Sequence, residues 1–250
     1  MKNILLVSLV LFFSINKIEA QRRTQTIKWF SIAAKAGVGN SVFLNSDIMN
    51  DKNVEFDYLS LSQSYGGRFT FSYGENIGFG LEVLSSSYGQ KYTVTNLSND
   101  TNIKKLKLKA LDLIPFFRYT GSTGGYLEVG AKISNVKSII ENNSTSTLTA
   151  RNDLILYYEP SYTSAMLGFG VALYKSERID INLGARFAYS FKDISPYSTF
   201  QIIDDNFYTP DYFKVAKTNP LSAQAILEVN YYFAFWGDAT CGRGRLMLFN

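Results

Sequence analysis

The sequence contains no histidine and only one cysteine, Cys241. Histidine is the side chain most often used as a general base or proton shuttle, so its absence excludes serine-type and acyl-transfer mechanisms that depend on it. It also excludes zinc sites built on histidine, and a single cysteine forms neither a thiolate cluster nor an intrachain disulfide. We therefore expect a non-enzymatic protein with no cofactor and no metal.

Long apolar runs and a strong charge of one sign are also missing. The one long apolar run, residues 4–15, follows Lys2 and precedes Ile18-Glu19-Ala20, the pattern of a secretory signal peptide at residues 1–20. The alternative, an N-terminal membrane anchor, would need roughly 20 apolar residues. Removing the signal leaves 23 basic and 20 acidic residues. So small a net charge gives no reason to expect nucleic acid as a partner.

The chain is rich in residues that favour strands. Aromatic residues make up 15% of it, with 17 Tyr and 19 Phe. From residue 29 onward, apolar and polar residues alternate in segments of about ten residues, which is typical of transmembrane barrel strands. Eight segments show this pattern: residues 29–38, 65–73, 77–83, a fourth ending in 111–119, 126–133, 164–173, 179–189 and 223–233.

The connections between these segments alternate in length. The tight ones lie near residues 74–76, 120–125 and 174–178. The long, polar ones lie near residues 39–62, 86–104, 136–160 and 192–220. In outer-membrane barrels the short turns face the periplasm and the long loops face outside. The sequence thus predicts an all-β fold, an antiparallel up-and-down transmembrane β-barrel of eight strands. It would occupy residues 21–235 in the outer membrane, with a C-terminal periplasmic tail at 236–250.

A soluble β-sandwich is the main alternative, because its strands alternate as well. Its outward faces would carry charge, however, whereas here the charged residues share a face with Gly, Ser and Asn and the opposite face is almost wholly apolar. We expect lipid to contact the apolar face. Its aromatic members include Phe30, Phe69, Phe79, Phe169 and Phe187. Pro115 removes a ladder hydrogen bond within the fourth strand, which predicts a bulge there.

The charged residues within the strands have inward parity and both signs. The acids are Glu82, Asp112, Glu128, Asp180 and Glu228, and the bases are Lys35, Arg68, Arg118, Lys132 and Arg186. One hypothesis is a selectivity filter or a carboxylate pair for hydrolysis. The other is a structural network that neutralises itself, because an eight-stranded barrel is just wide enough for its own side chains and buried charges must be paired. We favour the structural network.

A second set of basic residues has outward parity. Lys105, Lys107 and Lys109 share the parity of Leu111 and Leu113, and Lys91 keeps the outward parity of the third strand. These four lysines are positioned to contact the phosphates of outer-membrane lipid and lipopolysaccharide. The alternative is a hairpin that extends into water, with solvated lysines on one side.

Four segments, taken in order, carry a family resemblance. They read LDLIPFFRY at 111–119, YLEVG at 126–130, ARFAYSFKDI at 185–194 and NYYF at 230–233. Together they resemble the PorT-like outer-membrane β-barrel family of Bacteroidota, over nearly the whole mature chain. The resemblance implies a Gram-negative outer-membrane barrel and suggests a secretion-associated role with envelope protein partners. The tail after Phe235 departs from the family, whose barrels usually stop at the last strand's terminal aromatic.

Three functions follow from these observations. The first is a non-enzymatic barrel with a charge-plugged lumen, whose long external loops bind something or serve an envelope machine. The second is a narrow, porin-like pore for small solutes. The third is a lipid-modifying enzyme, against which the missing histidine already counts.

Overall fold

The structure is a computed structural model. It describes residues 27–50, 52, 54–74, 76–95, 101–143, 158–194, 216–237 and 245–248. The predicted signal peptide and Cys241 lie outside the described residues. Within these ranges no helix combines the length and the apolar character needed to cross a membrane.

Strands dominate the described residues. In chain order the elements are β1 (Ile27–Leu44), α1 (Ser46–Asn50), β2 (Val54–Asp57), β3 (Leu61–Tyr73), β4 (Ile77–Thr95), β5 (Thr101–Thr120), β6 (Gly125–Asn143), β7 (Ser161–Lys175), β8 (Ile179–Ser190), β9 (Asn219–Gly237) and β10 (Arg245–Leu248).

Eight of the strands close into an antiparallel ring. Strand β1 pairs with β3 on one side and with β9 on the other. From β3 to β9 each strand pairs with the next in the chain. Strands β2 and β10 lie outside the ring, on β4 and β9 respectively. The predicted eight-stranded up-and-down barrel is confirmed, and the β1–β9 pairing excludes a sandwich of two separate sheets.

Three tight turns lie together at one end of the barrel. Gly74 between β3 and β4 has a φ of 68°, and Gly124 between β5 and β6 has a φ of 90°. Both values lie in the left-handed region that glycine enters without a steric cost. Between β7 and β8 the backbone N–H of Ser176 donates to the carbonyl of Ile179 at 2.8 Å. Short turns of this kind mark the periplasmic end.

The outward surface changes character partway along the strands. On β5 the outward side chains change from Leu113 and Leu111 to Lys109 and Lys107. The interior changes in the opposite sense, from charged residues to an apolar core. That core consists of Phe43, Tyr88, Leu106, Leu108, Ala110, Val136, Ile139, Tyr158, Tyr162 and Ile194. Beyond the membrane the strands thus continue as a soluble type of sheet, apolar inside and polar outside.

This continuation corrects one sequence prediction. The long connection expected near 86–104 is wrong, because β4 runs to Thr95, β5 begins at Thr101 and only residues 96–100 join them. The prediction ended the strands where the outward side chains turned polar. Inward parity continued through Tyr88, Leu106 and Leu108, all of which are buried. The same effect lengthens β1 to Leu44 and β6 to Asn143.

The bulge predicted at Pro115 is also wrong. The register of β5 against β6 is the same on both sides of the proline, with Leu113 opposite Ile133 and Phe116 opposite Gly130. The pairing to β6 simply opens for two residues. A Cβ on Gly130 would lie 2.5 Å from the carbonyl oxygen of Pro115, so glycine permits this close approach. The bulge of this strand lies instead between Lys109 and Ala110.

The end of the chain folds back on the barrel. Strand β9 continues to Gly237, two residues past the predicted barrel boundary. Strand β8 begins opposite Tyr231, which leaves that edge of β9 open beyond this point. Strand β10 pairs there, with Leu248 opposite Ala234. Part of the segment predicted as a tail is therefore a strand, while residues 238–244, 249 and 250 lie outside the described residues.

Candidate functional site

The barrel lumen buries all ten charged residues that the sequence predicts to be inside. None is more than 8% exposed, and Glu82 and Glu228 are fully buried. The ten are Lys35, Arg68, Glu82, Asp112, Arg118, Glu128, Lys132, Asp180, Arg186 and Glu228. Seven of them form what we call the central charge cluster: Lys35, Arg68, Glu82, Arg118, Glu128, Arg186 and Glu228.

The strand register places opposite charges side by side in this cluster. Lys35 of β1 lies directly opposite Glu228 of β9. Arg68 of β3 lies opposite Glu82 of β4. A third pair, Arg118 and Glu128, faces across β5 and β6. Side chains directly opposite on neighbouring antiparallel strands are close enough to interact, so the alternation and register alone assemble three ion pairs.

Glu228 is the most heavily coordinated acid. Its carboxylate accepts hydrogen bonds from Arg68 Nη1 at 2.6 Å and Arg118 Nη1 at 2.9 Å. Arg68 contacts Oε2 and Arg118 contacts Oε1, and Lys35 Nζ also lies 2.9 Å from Oε2. The amides of Asn182 and Asn230 donate to Oε1 at 2.9 and 2.7 Å. Three cations and two amides therefore surround one carboxylate.

Arg186 holds the other two acids together. Its Nη1 donates to Glu82 Oε2 at 2.7 Å, and its Nη2 donates to Glu82 Oε1 and to Glu128 Oε2, each at 3.0 Å. This two-pronged contact is the geometry in which guanidinium and carboxylate bind most strongly. Lys35 also reaches Glu82 at 2.7 Å, and Arg68 reaches Glu128 at 2.7 Å.

The three glutamates are the described acids that could hold a cation together, since their oxygens lie within 4.8 Å of one another. Four basic side chains already supply their counter-charges. Taking ions out of water costs several kcal/mol for each ion and is offset only by close, hydrogen-bonded partners. The contacts described above are of this kind. The geometry therefore fits a plug that crosses the lumen better than a metal centre.

Asp112 and Lys132 form a separate tier nearer the external end. The hydroxyl of Tyr88 donates to Asp112 and accepts from Lys132 Nζ at 3.0 Å. The Lys132 ammonium also lies 4.5 Å from the centroid of the Tyr88 ring. Sequence reasoning missed Tyr88, although its even-numbered parity with Glu82 on β4 places it inward.

The periplasmic end of the lumen opens into a cavity of about 230 Å³. We call it the periplasmic vestibule; its polar lining includes Lys28, Arg118, Tyr126, Lys175, Asp180 and Tyr232. Lys28 Nζ lies 3.1 Å from Asp180 Oδ1, and the Tyr232 hydroxyl donates to Asp180 Oδ2 at 2.8 Å. Lys28 was missed because the first strand was predicted to begin at residue 29, whereas it begins at Ile27.

The four lysines with outward parity differ in their surroundings. Lys105, Lys107 and Lys109 are exposed along one face of β5. Lys91 lies opposite Lys105 on β4 and forms an ion pair with Asp57 at 2.9 Å. The backbone N–H of Leu59 and the Lys91 ammonium lower the pKa of the Asp57 carboxyl below its usual range. Lys91 thus already has an anionic partner within the chain.

The apolar band lies on the outside of the membrane-spanning half. Four of the five predicted lipid-facing phenylalanines, Phe69, Phe79, Phe169 and Phe187, are between 42% and 49% exposed. Phe30 is half-buried, because its ring lies 5.8 Å from the ring of Phe69 and 6.2 Å from that of Phe233. A closed sheet that is apolar outside and charged inside satisfies its backbone hydrogen bonds within a bilayer. The chain is an outer-membrane β-barrel.

Several solved outer-membrane proteins have a similar fold. Neisserial surface protein A is 11% identical, with a TM-score of 0.43 over 84% of this chain and 99% of that one. The attachment invasion locus protein Ail of Yersinia pestis is 10% identical, with a TM-score of 0.37 over 83% and 100%. The outer-membrane protease OmpT of Escherichia coli is 12% identical, with a TM-score of 0.34 over 87% and 100%. Likeness at these values does not extend to function.

No protein-family model matches the chain. No curated protein matches it either.

Proposed function

We propose that this outer-membrane barrel is non-enzymatic and does not conduct, and that it acts through its external surface. The observation that carries the proposal is the filling of the lumen at successive levels. The central charge cluster crosses the membrane-spanning half, the Asp112–Tyr88–Lys132 tier follows, and the apolar core fills the external half.

Opening such a lumen would be costly. A solute or ion passing through would have to separate Arg186 from Glu82 or Lys35 from Glu228, contacts of 2.7 to 3.0 Å between buried groups. Breaking a buried pair costs about 3–5 kcal/mol because it leaves an uncompensated charge. The apolar core beyond it presents mainly hydrocarbon surface to a hydrated ion.

Planar-bilayer recording of the refolded protein tests this proposal. We expect no stable conductance steps above the lipid-only baseline, with insertion verified by the heat-dependent gel migration that folded barrels show. Large, stable steps would contradict the proposal and favour a narrow, porin-like pore for small solutes.

A lipid-modifying enzyme is the other alternative. The three central glutamates each accept hydrogen bonds from basic side chains, so none of them is placed to act as a general base toward a substrate. Incubating the protein with outer-membrane phospholipid and lipopolysaccharide should leave both unchanged by mass spectrometry. Turnover by wild-type protein that a Glu128→Gln variant lost would favour the enzyme.

An envelope-machinery role is part of the same proposal. It is supported by the resemblance to PorT-like barrels and by the external sheet, which extends β4 and β5 well past the apolar band. Affinity purification of the tagged chain from native outer membranes should recover envelope proteins that a similarly tagged, unrelated small barrel does not. Recovery of the same proteins by both would remove this part of the proposal.

We also propose that lipid is a second partner of the barrel, bound by the exposed lysines of β5. Strands rise about 3.3 Å per residue and tilt about 40°, so each residue gains about 2.5 Å of height. Above the outermost apolar residue, Leu111, Lys109 then stands about 5 Å higher, Lys107 about 10 Å and Lys105 about 15 Å. The headgroup layer is about 5–8 Å thick on each side. Lys109 therefore stands within the headgroup layer, Lys107 stands just above it and reaches it with its long side chain, and Lys105 and Lys91 lie beyond it.

Lipopolysaccharide retained through purification measures this contact. Replacing Lys107 and Lys109 together by glutamine should lower retention at low salt, and the difference should shrink at high salt because the attraction is screened. Lys217→Gln, an exposed lysine at the outer end of the barrel, is the matched control and should retain lipid like the wild type. Equal retention by all three proteins at low salt would eliminate the lipid contact and favour lysines solvated on an external hairpin.

A further inference from the structure

The periplasmic vestibule and the central charge cluster share one residue, Arg118. This arginine lies at the inner end of the vestibule and is only 8% exposed. Its Nη1 donates to Glu228 at 2.9 Å, and its Nε lies 2.8 Å from Glu128 Oε1. Its guanidinium stacks on the Tyr126 ring, with Cζ 3.9 Å from the centroid.

The charges of the lumen do not balance among the described residues. The central charge cluster holds four cations, Lys35, Arg68, Arg118 and Arg186, against three glutamates. The neighbouring charged groups are paired with one another and do not change this excess of one positive charge. Lys132 is balanced by Asp112 through Tyr88, and Lys28 is balanced by Asp180. One positive charge is left over in an enclosed, low-dielectric space.

The excess charge comes with an unused donor. The Nη2 group of Arg118 is buried and has no hydrogen-bond partner in the part of the chain that the structure describes. A buried N–H group without an acceptor carries its full desolvation cost, and the cost is larger for a charged group. Lys175 lies at the exposed rim of the same vestibule, opposite Asp180 in the register of β7 and β8, and Asp180 already forms an ion pair with Lys28. Arg118 therefore belongs to the cluster with the excess charge, carries a buried donor without a described partner, and lines the vestibule.

We infer that the periplasmic vestibule binds one small oxyanion, of the carboxylate or phosphate class, with Arg118 as its principal donor. An oxyanion matches the planar fork of a guanidinium better than a halide does. A single negative charge neutralises the excess of the central charge cluster. A cavity of about 230 Å³ accommodates acetate or phosphate with water. Lys175 adds attraction at the rim of the vestibule.

Urea unfolding of the detergent-refolded protein tests the inference, with acetate, phosphate and chloride compared at constant ionic strength. Binding to the folded state raises the free energy of unfolding by RT ln(1 + [L]/Kd), where [L] is the anion concentration, so the unfolding midpoint rises with the logarithm of [L] above Kd. We expect this logarithmic rise with acetate or phosphate and only a linear salt effect with chloride. Arg118→Met should abolish the logarithmic rise and leave the linear effect. Arg178→Met, an exposed arginine at the same end of the barrel that does not line the vestibule, should respond like the wild type.

The ³¹P spectrum of inorganic phosphate gives a second, direct measurement of binding. The ³¹P line of inorganic phosphate should broaden saturably with wild-type protein and with Arg178→Met, but not with Arg118→Met. If Arg118→Met does not fold, Arg118→Lys keeps the charge without the fork, and it should bind phosphate at least tenfold more weakly. An equal saturable response in wild type and either Arg118 variant would overturn the inference. A logarithmic rise of the unfolding midpoint with chloride alone would overturn the oxyanion assignment.

Discussion

Replacing Glu228 by glutamine is the sharpest test of the central charge cluster. The substitution keeps the size of the side chain but removes the charge that Arg68, Lys35 and Arg118 share at 2.6 to 2.9 Å. Four cations would then face two carboxylates, and the new amide would point N–H groups at N–H donors. Breaking a buried pair in this way costs about 3–5 kcal/mol of unfolding free energy. That is a large part of the stability of an ordinary domain.

Urea unfolding followed by far-UV circular dichroism measures this loss. Glu55→Gln is the matched control, because Glu55 is exposed on β2 and surface changes usually stay within about 0.5 kcal/mol. Removing a cation in the same background, as in Glu228→Gln with Arg118→Met, restores the original excess of one charge and should recover part of the loss. The reasoning is refuted if Glu228→Gln costs no more than Glu55→Gln, or if the second substitution only adds to the damage.

Two further predictions concern the interior and exterior of the barrel. A double-mutant cycle on Arg186 and Glu82, which share a two-pronged contact, should give a coupling of about 1–3 kcal/mol. The cycle on Arg186 and Glu228 should give a smaller one, because Glu228 lies opposite Asn182, four residues along β8 from Arg186; equal couplings would contradict the register. In liposomes containing variants built on Cys241→Ser, a water-soluble maleimide should label cysteines slowly at the lipid-facing positions and rapidly at Thr101→Cys, which is exposed at the outer end of β5, ten residues beyond Leu111. The lipid-facing positions are Phe30, Phe69, Phe79, Phe169 and Phe187. Rapid labelling at most of them would contradict the assignment of this face to lipid.

The sequence alone was sufficient to predict on which face of its strand each residue lies, and therefore which side chains fill the lumen. Alternation with a period of two assigns every residue of a strand to one face once a single residue is assigned. That is why Lys35, Arg68 and Arg186 were placed inside without any knowledge of their partners. Which acid each base contacts was not predictable, because it depends on the shear between strands. Arg68 lies opposite Glu82 in the register, yet its shortest contacts are with Glu128 and Glu228.

The external half of the barrel was missed for a related reason. The pattern sought was apolar outside and polar inside, and residues 105–110 show the reverse, with lysines outside and Leu106 and Leu108 inside. Both patterns have the same period, so period alone does not separate a lipid-facing segment from a water-facing one. The vestibule was missed because its residues come from strand ends, where Lys28 and Lys175 lie at or beyond the predicted boundaries.

The inversion of the pattern follows from how such a chain must reach its membrane. An exported barrel protein has to avoid any stretch of roughly 18 or more apolar residues, which would insert as a helix in the first membrane it meets. Strand β5 keeps a charge on one face along most of its length: Lys105, Lys107 and Lys109 outside where the interior is apolar, then Asp112 and Arg118 inside where the exterior is apolar. The buried charges of the membrane half also shorten the apolar run of this strand, because Asp112 and Arg118 leave only residues 113–117 between them, far short of that length. Their partners across the barrel then make those charges tolerable in the folded state, which is why the central charge cluster is ordered so closely around Glu228.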